Sequence, residues 1–88
     1  MDGVDQRGER GMSRLQLLRL NEQVWRVVTA QGEHVGNLKH IGPVWKFKAI
    51  GYDEQGAVLP GGGPLTHRHN TVLSTPDETE LNRLLGAS

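Results

Sequence analysis

The sequence predicts a small α+β domain: a twisted antiparallel β-meander of four or five strands with one C-terminal α-helix packed on it. Three observations predict this. Runs rich in β-branched and aromatic residues fill the middle of the chain, Val24–Thr29 and Val44–Ile50. Turn signals separate the runs, at Gln31-Gly32, Gly42-Pro43 and Asp53-Glu54-Gln55-Gly56. A helix-start signature then precedes leucines at helical spacing near the C-terminus.

Taken in order, Ser13–Leu20 reads SRLQLLRL and fits neither the helical nor the strand period cleanly. A strand is the better reading, because Asn21-Glu22 then turns the chain directly into Val24–Thr29. In His34–Ile41 the apolar residues Val35, Leu38 and Ile41 do not alternate, and Gly36-Asn37 at the break predicts a β-bulge. Val44–Ile50 is the clearest strand, with Trp45, Phe47 and Ala49 on one face and Lys46 and Lys48 on the other. Ala57-Val58-Leu59 is a short strand stopped by Pro60, and Thr71-Val72-Leu73 supplies a last one. Thr75 then reads as an N-cap, Pro76 as the first helical residue and Glu78 as the partner completing a capping box. The helix runs over 76–85, carries the stripe Leu81, Leu84 and Leu85, and stops at Gly86. At about ten residues it is too short to be stable alone, so its leucines must dock. Trp25, Trp45 and Phe47 are expected to share the core with them.

A length of 88 residues supports one domain, spanning 13–88, preceded by a charged, flexible tail over 1–12. The core of such a domain is thin, since folding at this size buries only roughly 60–65% of the chain's surface. There is no cysteine, which excludes disulfides and thiolate-bound zinc. No apolar run approaches the ~18 residues of a membrane span. The charged N-terminus lacks the apolar stretch of a signal peptide, so a cytoplasmic location is expected. Net charge is zero but unevenly spread. Residues 13–48 carry a net +4, and residues 49–88 a net −3.

Candidate chemistry concentrates in the connection Gly61–Asn70, which reads GGGPLTHRHN. Loops of this composition on a rigid sheet commonly carry function, and Gly62, Gly63, His67, Arg68, His69 and Asn70 are its candidate binding residues. Consecutive glycines let backbone N–H groups approach an anion. The phosphate-loop pattern nevertheless demands a lysine and a hydroxyl residue opening a helix, and neither is placed here. His67 and His69 would share a face on a strand and could ligate a metal, with His34 and His40 adding ligands only if the fold brings them near; no metal is expected. A histidine base beside Thr66 or Thr71, with Asn70 as oxyanion donor, lacks an orienting carboxylate. No catalytic residue and no cofactor are therefore assigned. The expected function is a non-enzymatic interaction module, its partner an unknown protein or a second copy. The alternative is a nucleic-acid-binding domain that uses Arg26, Lys39, Lys46 and Lys48 on the outer face of the sheet.

Overall fold

A computed structural model of the chain describes residues 14–85. The expected tail over 1–12 and the helix stop at Gly86 lie outside the described residues. Among the described residues, six strands and one helix follow in order: β1 (Leu15–Arg19), β2 (Val24–Thr29), β3 (His34–Ile41), β4 (Val44–Tyr52), β5 (Val58–Pro60), β6 (Val72–Leu73) and α1 (Glu78–Leu85). A single 3-10 turn, Thr66–Arg68, interrupts the long connection between β5 and β6. Strands β1 to β5 form an antiparallel meander in sequence order, and β6 joins the same side of β4 that β5 occupies. This is the expected α+β architecture, with the two-residue β6 bringing the strand count to six. No helix among the described residues is long and apolar enough to cross a membrane.

Each hairpin follows from its turn residues. Gly42 holds a φ of +60° at the first position of the two-residue β3–β4 turn, where the strand twist favours a positive φ. Between β2 and β3, the buried Thr29 hydroxyl accepts from the N–H groups of Gln31 and Glu33. Between β4 and β5, the Asp53 carboxylate accepts from the N–H groups of Gln55 and Ala57.

The core lies on one face of the sheet. Leu15, Val27, Val35, Leu38, Phe47 and Leu73 come from the strands, Leu81 and Leu85 from α1, and Leu65 from the β5–β6 connection. Trp45 is buried as expected, and the exposed His40 imidazole stacks on its indole at 4.6 Å between ring centroids. Trp25 and Leu84 pack against this cluster only partly buried.

Three local expectations are corrected. The bulge lies in β3 as expected but begins earlier than Gly36-Asn37: Val27 pairs with Gly36 and Val28 with His34, so Val35 is the extra residue. Gly36 makes room for Phe47, whose Cε1 would stand 2.4 Å from a Cβ at that position. Pro60 is the last residue of β5 and does not stop the strand before itself. It faces Ile50 on an outer strand, where the missing N–H costs no ladder bond.

The third correction concerns the start of α1. Asp77 is the N-cap, not Thr75: its Oδ2 accepts from Glu80 N–H at 2.9 Å, and its carbonyl accepts from Leu81 N–H. The reason is tertiary. Glu78 is committed to the sheet, its Oε2 accepting from Leu17 N–H at 2.9 Å. One turn later, Asn82 Oδ1 accepts from Leu15 N–H at 2.7 Å while Nδ2 donates to Leu15 O at 2.9 Å. Asn82 thus makes the pair of bonds a neighbouring strand would make, and α1 seals the β1 edge.

Candidate functional site

Residues directly opposed in an antiparallel ladder point to the same face. The register therefore assembles two rows on the face opposite the core. One row runs Leu18, Arg26, Asn37, Lys48 across β1 to β4. The next runs Val24, Lys39, Lys46, Val72 across β2, β3, β4 and β6. Arg26, Lys39, Lys46 and Lys48 consequently share one face of three adjacent strands.

No strand among the described residues contains an aspartate or glutamate. The carboxylates of the described residues sit in turns and on α1, where Glu80 pairs with Arg83 at 2.9 Å. None of the four outer-face cations forms an ion pair among the described residues. Lys39 and Lys46 stand directly opposite each other, an arrangement that costs folding stability.

Beside these rows lies an open groove of about 310 Å³. Lys39, Lys48, Asn37 and His69 form its polar rim, and Ile50, Val58 and Pro60 its apolar floor. A hydrogen-bond relay holds Asn37. His34 Nε2 lies 2.9 Å from Asn37 Oδ1, and His34 Nδ1 lies 2.9 Å from the Tyr52 hydroxyl. An amide oxygen only accepts, so Nε2 carries a proton, and in the neutral ring Nδ1 accepts from Tyr52. The amide nitrogen of Asn37 is left with both N–H groups unused among the described residues.

The Gly61–Asn70 connection divides into parts with different work. Its ends complete the edge of β4 between β5 and β6. Gly61 N–H donates to Ala49 O at 2.7 Å, Asn70 N–H to Phe47 O at 2.7 Å, and Phe47 N–H to Thr71 O at 2.8 Å. Ala49 N–H donates to His69 Nδ1 at 3.0 Å, so an imidazole stands where a strand carbonyl would. Gly62 donates its N–H to Leu59 O, and Gly63 packs backbone to backbone on Gly51. Asn70, at a φ of +73°, accepts from Lys48 Nζ through Oδ1.

His67 and Arg68 are exposed on the 3-10 turn and do not line the groove. The loop residues therefore do not converge on one spot: Gly61 and His69 face the groove, and Asn70 reaches it through Lys48. His67 and His69 also do not share a strand face, because the 3-10 turn separates their directions. No group of three metal-ligating side chains occurs among the described residues. Sequence reading missed Asn37, His34, Tyr52 and the groove floor. Their meeting depends on register across three strands, which the spacing of residues along one strand does not carry.

No family model, curated protein or solved structure matches this chain.

Proposed function

We propose that the protein is a non-enzymatic nucleic-acid-binding module that receives its ligand on the outer face of the sheet. One observation carries this reading: Arg26, Lys39, Lys46 and Lys48 cluster on three adjacent strands, none of which contains an acidic residue. Like charges at this spacing, with no ion-pair partner among the described residues, repel one another. An arriving polyanion relieves the repulsion and releases its own counterions. A net charge of zero does not weaken the case, since the carboxylates of the described residues lie in turns and on α1, away from these strands. The cytoplasm is the compartment we assign to it.

A protein partner or a second copy is the other reading. Its support has narrowed. Leu81 and Leu85 are buried against their own sheet, and α1 covers the β1 edge, so the helix has no face in need of a partner. What still favours it is the outer edge of β5, with Val58 and Leu59 about half exposed. Sedimentation across a range of protein concentrations would register an association through that edge.

Fluorescence anisotropy with a labelled oligonucleotide at increasing salt tests the nucleic-acid reading. If four cations contact a single strand, a fourfold rise in salt weakens binding about 50-fold. Lys46→Ala/Lys48→Ala removes about half of the salt slope. Binding that is absent at low salt, or indifferent to salt, overturns the proposal.

A further inference from the structure

We infer that the ligand of this face is a single strand, with one base seated on the Ile50–Val58–Pro60 floor and its flanking phosphates on Lys39 and Lys48. This rests on the nucleic-acid reading and specifies its substrate. Three observations carry it.

The first is width. The meander places β1 to β5 side by side, so its face spans about 19 Å at ~4.8 Å between strands. The duplex major groove is only ~12 Å wide, enough for a helix or a two-stranded ribbon. The whole face cannot enter it, and the cations on its middle strands would not reach the base edges. A single strand lying across the sheet meets no such limit.

The second is the groove. A surface that needed only phosphates would require charge alone. Here the lysines stand on the rim of an apolar floor. An unpaired base is an apolar plate joined to anions at both ends, and it matches that pattern. In a duplex the bases are stacked and paired, so the floor would stay empty. Tyr52, the cross-strand neighbour of Val58, lies on the same face about half exposed and offers a ring for the adjoining base.

The third is the orientation of Asn37. His34 holds its oxygen, so the amide N–H groups are the free end on the groove rim. They form a donor pair suited to a base carbonyl such as those of thymine and uracil; a phosphate oxygen accepts from the same donors, and the abasic ligand separates the two.

The experiment compares three labelled ligands of equal strand length, ~12 nucleotides, by anisotropy at one low salt concentration. They are oligothymidine, the same chain with abasic residues, and oligothymidine paired with its complement. The expected result is that oligothymidine binds about tenfold more tightly than the abasic chain or the duplex. Asn37→Ala and Tyr52→Ala are expected to lower oligothymidine affinity severalfold while leaving abasic affinity unchanged. Equal affinity for oligothymidine and the abasic chain overturns the base-seating inference and leaves the polyanion reading standing. Tighter binding of the duplex overturns it as well. Failure of all three to bind removes the nucleic-acid reading itself. The ligand comparison uses the wild-type chain, so it decides the matter even where a variant folds poorly.

Discussion

A Cβ placed on Gly63 would stand 2.2 Å from the Ile50 carbonyl oxygen, and the residue already holds a φ of +85°. Side-chain-bearing residues pay roughly 1–2 kcal/mol for that backbone conformation alone. Gly63→Ala is therefore expected to lower unfolding stability by well over about 1 kcal/mol in urea titration. Gly62→Ala meets only contacts at 3.3 Å at a φ outside the left-handed region, and should cost less. His69 makes a similar argument with a polar group. Ala49 is buried, and its N–H has the His69 imidazole as acceptor. His69→Ala should cost ~1–3 kcal/mol by leaving that donor unpaired. His67→Ala and Arg68→Ala should stay within about 0.5 kcal/mol, because both side chains are exposed. Equal costs for His67 and His69 would contradict the division of the loop. The concentration of unusual residues in Gly61–Asn70 was legible in the sequence. The use of an imidazole as a substitute strand carbonyl was not, since it depends on a contact twenty residues away along the chain.

Helix α1 is bonded to its sheet as well as packed on it. Two of its polar side chains, Glu78 and Asn82, reach the N–H groups of Leu17 and Leu15, which point away from β2. Asn82→Ala deletes both bonds to Leu15 and reopens the β1 edge. An expected loss of about 2 kcal/mol follows from the unpaired backbone groups. Amide exchange should distinguish this from general weakening: Leu15 should exchange faster, ahead of the β3 and β4 amides. Uniform acceleration across the sheet would argue that Asn82 does not act locally. The leucine stripe of α1 was legible because burial of an amphipathic helix follows a simple period. Its start was displaced by two residues because Thr75 and Asp77 both satisfy local capping chemistry. The choice fell to Glu78, whose carboxylate the β1 edge recruits. The bulge was legible in the right strand, one residue off, with Val35 and not Gly36 as the extra residue. A glycine in a strand signals either an extra residue or a close approach, and Gly36 both borders the bulge and admits the ring of Phe47.

Across the whole molecule, the two faces of the sheet are chemically opposite. One carries the core, with Phe47, Leu38 and Val35 fully buried. The other carries four cations, an amide and an apolar groove. The alternation Trp45-Lys46-Phe47-Lys48 announced this division within one strand, and the antiparallel register extends it to β2 and β3. Where the sequence fell short was in joining separate segments: the basic strands and the histidine loop read as rival sites, and the fold sets Lys48 beside Asn70 and His69 at one groove. The proposed nucleic-acid surface is this outer face. Amide NMR during titration with oligothymidine tests the claim most directly. The predicted result is a set of shifts confined to Arg26, Asn37, Lys39, Lys46, Lys48, Ile50, Tyr52, Val58 and His69, diminishing with added salt, with α1 silent. Shifts concentrated on α1 or the β1 edge, or no shifts at low salt, would contradict it.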